Sequence, residues 1–392
     1  LKNRSELLIF QNSLALQCFT NEYIYEYSDA EANALELLER NIEESLHNGR
    51  QPASSQIACL ASYKALSEYP WISSLSELEE IKLVYERQVL EPRKEEQLRL
   101  EIPILQEISD SISSKVREQY EESPYPRWVN TELAACPQSI STETKKCRLK
   151  ITNTEIYKVD APQILIAGAG TGQQSLYASS RFEGSNILAV DLSLSSLSYA
   201  KRKTEELGVT NIEYMQADIL DLEKLNMKFD MIECSGVLHH MKEPLAGWRV
   251  LVNCLKTGGL MKIGLYSERA RTDIVDIHKE IEQSNIGQST AAMKAFRNEL
   301  INSSLAHHKK VSSFPDFYSL SMFRDLLFHV QEHRFTVPEL KICLTELGLE
   351  FCGFEGDRIV KNFVNQNFAK DDLYDLEKWA KFEEHTCYAF LG

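Results

Sequence analysis

The stretch Gln163–Gln173, Gln-Ile-Leu-Ile-Ala-Gly-Ala-Gly-Thr-Gly-Gln, constrains the chain more than any other. Four apolar residues run directly into glycines at every second position. Such a run, ended by glycines, is the pattern of a parallel strand buried on both faces. Gly168, Gly170 and Gly172 permit a sharp turn and a close approach of backbone to a ligand. The helix expected next, from near Thr171 to about Ser180, would offer free N–H groups to polar ligand atoms. A second apolar strand, Ile187–Val190, ends at Asp191, 21 residues beyond Gly170. A nucleotide-binding βαβ unit places an acid there to hold ribose hydroxyls.

Glycine spacing separates two nucleotides. A nicotinamide fingerprint, Gly-x-Gly-x-x-Gly, needs its third glycine where this chain has Gln173 or, one register on, Ser175. The spacing found instead resembles the first motif of class I S-adenosylmethionine-dependent methyltransferases. The resemblance runs over roughly residues 160–265, with further motifs in family order: Gln216-Ala217-Asp218-Ile219, then Phe229 through His240, then Leu255 through Ile263. It implies an α/β fold, a Rossmann-like sheet of seven strands. It also implies S-adenosyl-L-methionine as cofactor. Gly168, Ala169, Gly170 and Gly172 would shape the loop around its methionine part. Asp191 and Leu192 would hold the ribose, Asp218 and Ile219 the adenine. Glu233, Cys234 and Ser235 would line the side where the methyl group leaves. The positions after strand four read Cys234-Ser235-Gly236-Val237, not Asn/Asp-Pro-Pro-Tyr, which points to a small-molecule or peptide acceptor.

The 392 residues include 43% hydrophobic ones, enough for two or three domains with cores. A formal net charge of −15 argues against non-specific binding to nucleic acid or anionic membrane. No apolar run reaches the ~18 residues of a membrane span, and no cleavable leader pattern opens the chain. Nine scattered cysteines without a Cys-x-x-Cys read as free thiols in a reducing cytoplasm. An oligomer is compatible with this composition.

Residues 1–120 are expected to form an α-helical N-terminal domain. Apolar residues recur at helical spacing over 7–19, 31–46 and 57–66, and over a run from Leu78 to Leu90 stopped by Glu91-Pro92. Ile104, Ile108, Ile112 and Val116 extend that period. A linker and aromatic loop follows over 121–160. Its core, Gln119 to Trp128, holds prolines and aromatics that argue against a regular helix or an interior strand and could close over the cofactor or the acceptor. Tyr125-Pro126-Arg127-Trp128 and Gln17 to Tyr23 resemble segments of larger bacterial proteins that join tetratricopeptide-like N-terminal regions to a methyltransferase domain. Residues 161–392 are expected to be that domain, with a helical lid inserted at about 268–335. Leu349–Phe354 reads as strand six. Thr386–Leu391 reads as strand seven, and Gly392 follows so soon that a continued tail is expected.

Two histidine motifs invite chemistry. His329-Val330-Gln331-Glu332-His333 matches His-x-x-Glu-His, a pattern that can hold zinc when both histidines share a helix face. No third ligand is identifiable, so no metal is expected; structural hydrogen bonding is the first reading, and acceptor binding or acid–base work the second. The segment is read as the end of a helix from Met322 to about Glu332. His240, after strand four, is a candidate base or orienting group, since imidazole can take a proton near neutral pH. Tyr125, Arg127, Tyr318, Arg324, His329 and Glu332 complete the acceptor-site candidates. A non-catalytic scaffold with a methyltransferase-like fold is the second reading, and a nicotinamide oxidoreductase the third.

Overall fold

Five parallel strands, β1 (Gln163–Ala167), β2 (Asn186–Asp191), β3 (Ile212–Gln216), β4 (Phe229–Ser235) and β5 (Leu255–Gly264), form one sheet in the order β3-β2-β1-β4-β5. The computed structural model describes residues 2–76, 79–366 and 368–385. β1 pairs with β2 on one side and β4 on the other, so strand order reverses there. At such a switch point the loops beyond the carboxyl ends of the strands diverge and leave a crevice. Alternate residues of β1 feed two cores: Leu165 and Ala167 pack with Ile232, Trp248 and Leu251, while Ile164 and Ile166 pack with Ala189, Leu197 and Met231. Every one of these β1 side chains is fully buried. Each large one contributes roughly 1.5–3 kcal/mol by leaving water.

Five strands among the described residues, against the seven expected, is a correction. Leu349–Phe354 forms no strand. In a strand, Phe351 and Phe354 would point to opposite faces. Here both pack against the cluster around Trp379 and Phe363, and Gly353 turns the backbone at φ +133°. A cavity of about 560 Å³, lined on one side by Leu260, Met261 and Ile263 of β5, separates that strand from this segment. Thr386–Leu391, the expected strand seven, lies outside the described residues.

The chain divides into two compact units. The first comprises residues 1–100, 126–129 and 277–328; the second comprises 101–125, 130–276 and 329–392. These boundaries differ from the expected 1–120, 121–160 and 161–392. Most of the expected lid, 277–328, belongs with the N-terminal helices.

In the first unit, helices Lys2–Thr20, Asp29–His47 and Ser54–Ala61 bury Ala15, Ile42, Ile57 and Leu60 against Leu66, Ile81 and Val84. Ser28 and Glu31 close a capping box on the second of these. Glu91-Pro92 does not stop a helix, as expected, but sits in the first turn of Glu91–Arg99. A π turn over Glu86–Leu90 precedes it, taking up the clash a proline ring makes with the carbonyl four residues back. Gln88 in that turn is fully buried, bonded to Leu66 N–H and to the Ala15 and Ala61 carbonyls.

In the second unit, the helical period read from Ile104 starts late. Asp110 caps a helix at Ser111–Glu122, which runs on through Glu122 into the expected aromatic loop all the same, and Ile104 forms a parallel bridge beside β3. The helix expected to reach Glu332 ends at Phe328. Its continuation instead forms backbone bonds within the second unit: His333 N–H to His239 C=O at 2.7 Å, and Phe335 N–H to Tyr266 C=O at 2.8 Å.

Candidate active site

The glycine turn leaves β1 and crosses the carboxyl end of β2. Gly168 and Ala169 donate their N–H groups to the Val190 carbonyl at 2.8 and 2.9 Å. Gly168, Gly170 and Gly172 all have positive φ, +82°, +50° and +88°. At Gly168 a Cβ would run into Val237, and at Gly170 it would lie 2.8 Å from the Tyr125 carbonyl oxygen. The turn is thus closed to side chains from both sides.

Asp191 locks the turn. One carboxylate oxygen accepts Gly170 N–H at 2.8 Å, the other Ser193 N–H at 2.9 Å. Burial raises its pKa against these two stabilising bonds. The segment before Tyr125 covers the same end: Ser193 Oγ donates to the Tyr120 carbonyl at 3.0 Å. Glu121 accepts Leu194 N–H and the Ser195 hydroxyl, both at 2.6 Å. Leu192 offers its carbonyl to Gln216 Nε2 at 2.7 Å. Asp218 accepts Leu220 N–H at 3.0 Å and bonds Ser113, and burial raises its pKa too. Ile219, buried beside it, opens the short 3-10 helix Ile219–Leu225.

The end of β4 forms the second wall. Glu233 accepts Gln174 Nε2 at 2.9 Å. Burial pushes the Cys234 thiol up to about 12, so it is inert at neutral pH. Ser235 Oγ and Ser175 Oγ are buried without a hydrogen-bond partner among the described residues. A side chain at Gly236 would meet nothing within 4 Å, so open space begins there. A closed glycine cradle, buried carboxylates and unpaired hydroxyls fit a ligand carrying donors at both ends.

Beyond this wall lies an aromatic cluster. His239 is fully buried, stacks on Tyr266 at 3.8 Å, and has no partner for either ring nitrogen. Burial, with Arg271 and two further histidines nearby, pushes its pKa down to about 3. His240 stacks on His329 at 3.5 Å. His240 Nδ1 lies 2.7 Å from the Gln331 carbonyl and donates to it, while His329 Nδ1 lies 2.8 Å from that carbonyl and 3.2 Å from the Gln331 N–H. His329 Nε2 lies 3.3 Å from the Tyr120 hydroxyl. Burial holds His240 well below its ordinary pKa, so it is neutral with a free lone pair on Nε2.

Residues 164–259 match the Methyltransferase domain family. An uncharacterised protein of Synechococcus sp. is 27% identical over 235 residues, 56% of each chain. A demethylmenaquinone methyltransferase of Clavibacter sepedonicus is 33% identical over 103 residues, 26% of this chain and 40% of the relative. Among solved structures, PKMT2 from Rickettsia typhi has a TM-score of 0.46 and 18% identity, covering 66% of this chain and 52% of its own. The chain therefore spans about half the length of the first curated relative and of the first solved structure, 56% and 52%. Residues 164–259 are thus similar to a methyltransferase domain.

This domain carries all the expected cofactor residues at the carboxyl ends of its strands. The acceptor candidates divide. His240, His329, Tyr125 and Glu332 belong to the second unit, as the domain does; Arg127, Tyr318 and Arg324 belong to the first. Glu332 is committed, held by Arg271 at 2.6 and 2.9 Å and by Arg334 at 3.4 Å. Tyr318 donates its hydroxyl to Ser312 C=O, and Arg127 pairs with Glu22 at 3.5 Å. His329 and His333 share no helix face, because the helix has already ended, and His333 Nε2 accepts the Gln331 amide at 2.7 Å. Sequence reading placed Tyr120 and Glu121 in the covering loop without a role of their own, and it missed Tyr266 and Arg271. The last two follow β5 directly, where the rule that ligands bind beyond the carboxyl ends of strands would have found them.

Proposed function

We propose that the protein transfers a methyl group from S-adenosyl-L-methionine to a small-molecule or peptide acceptor. The observation that carries this reading is the bond from Gly170 N–H to Asp191, which shapes a closed glycine cradle inside the matched domain. The cofactor, when bound, supplies a methyl group already activated on a sulfonium. The chain's own residues bind, orient and shield. Gly168, Ala169, Gly170 and Gly172 hold the methionine part. Asp191 and Leu192 hold the ribose, and Asp218 with Ile219 the adenine. Glu233, Cys234 and Ser235 line the transfer side. Tyr120, Glu121 and Tyr125 keep water from the cradle. His240, neutral and fixed through Nδ1, orients the acceptor or takes its proton at Nε2. Free thiols at the eight described cysteines support a cytoplasmic location. No described helix is long and apolar enough to cross a membrane.

One observation favours a scaffold without turnover: the depressed basicity of His240 makes it a weak base. Calorimetric titration tests the main reading. S-adenosylmethionine and S-adenosylhomocysteine are expected to bind at micromolar levels, NAD and NADP not at all. Asp191→Ala and Gly168→Ala are each expected to weaken binding at least tenfold. No binding of the sulfonium pair by the wild-type protein would overturn the reading. Binding without any S-adenosylhomocysteine release across an acceptor panel would favour the scaffold.

A further inference from the structure

Within the first unit, three nitrogen and oxygen ligand atoms converge. Glu280 lies on the helix Thr272–Gln283, and His307 and His308 lie on the helix Ala306–Val311. His307 Nε2 is 2.7 Å from one oxygen of the Glu280 carboxylate, and His308 Nε2 is 2.7 Å from the other. The three ligand atoms lie within 4.8 Å of one another. The rings meet edge to face, their centroids 4.3 Å apart.

We propose that Glu280, His307 and His308 form a binding site for a divalent transition-metal ion of the zinc class. Two imidazoles and a carboxylate are a donor set that zinc accepts with a fourth position left for solvent. Bonds of about 2.0–2.2 Å put ligand atoms roughly 3–4 Å apart, so small rotamer changes in this triad suffice. His308 has the outer partner that metal-bound histidines need: its Nδ1 lies 2.8 Å from Ser303 Oγ. A bound cation would take the place of the Nε2 proton that faces the carboxylate, with Nδ1–H then donating to Ser303 Oγ. The side chains of His307, His308 and Glu280 are 24%, 9% and 34% exposed, so the site is held on its protein side and open to entry. The ion would join the helices Thr272–Gln283 and Ala306–Val311.

The test uses the full chain, freed of metal by chelation, titrated with zinc and with cobalt(II). One equivalent of zinc is expected to bind at micromolar level and to raise the melting temperature. Glu280→Gln, which keeps an acceptor for one imidazole but removes the charge, is expected to weaken binding at least tenfold. His307→Asn is expected to do the same. In either variant the zinc-induced rise in melting temperature disappears. Cobalt should give ligand-field bands without a thiolate charge-transfer band. A thiolate band, unchanged affinity in both variants, or no zinc binding by the wild-type chain would each overturn the proposal.

Discussion

His239 sits far from water. It has no exposed surface and no hydrogen bond to its ring, so protonation inside the fold is heavily penalised. Its pKa falls to about 3, from the ordinary value near 6.5. Between those limits the unfolded chain holds a proton that the folded chain does not. Stability therefore rises with pH across that window, by about 1.4 kcal/mol per pH unit from this group. Asp191 and Asp218, whose folded pKa values are raised, act in the opposite sense: their contribution is lost as pH rises through the folded values. The difference between wild type and His239→Gln isolates the histidine. Urea unfolding from pH 7 to pH 4 should show the wild type losing stability faster than the variant on acidification. Parallel curves would refute the assignment. The sequence made the His239-His240 pair visible, as it made Asp191 and the glycines visible, because these residues sit at fixed distances from strand ends. It could not reveal the Gln331 carbonyl that fixes the His240 tautomer, which arrives from 91 positions away.

At the level of elements, what could be read was what depends on short-range periodicity. β1, β2 and the helix Gln173–Arg181 fall within two residues of their expected bounds, since buried parallel strands and half-buried helices impose distinct apolar patterns. The failures share one cause. From His329 to Arg334 and from Leu349 to Phe354, local pattern favoured a helix and a strand. Backbone bonds to Tyr266 and His239 won in the first case, and aromatic packing around Trp379 in the second. The segment that closes over the glycine turn is held in the same non-local way, through Glu121 at the start of the helix Leu194–Glu206. A carboxylate at a helix N-terminus is worth about 1 kcal/mol. Glu121→Ala should lower global stability by about that amount. It should also speed hydrogen exchange of backbone amides in 120–125 and at Leu194, and weaken S-adenosylmethionine binding. Unchanged exchange in that segment would show that other contacts hold it closed.

The whole molecule is interleaved along its sequence: the first unit gathers 1–100, 126–129 and 277–328. Its distant parts are joined by specific bonds. Glu22 accepts Ser321 N–H at 2.7 Å and pairs with Arg127, and Arg297 donates to Phe317 C=O at 2.8 Å while its guanidinium lies over Tyr25. A fragment of residues 1–100 lacks all the later partners. It should melt broadly, with poor amide dispersion, and a sharp transition within a few degrees of the full chain would count against this view. The same interleaving sets an order of events at the ribosome. Synthesis proceeds at about 5–20 residues per second, so roughly ten to fifty seconds separate Leu100 from Phe328. During that wait the early helices are out of the exit tunnel without the residues that complete their unit, while all of β1 to β5 is made. Residues 1–100, made before the sheet, are thus completed only after it.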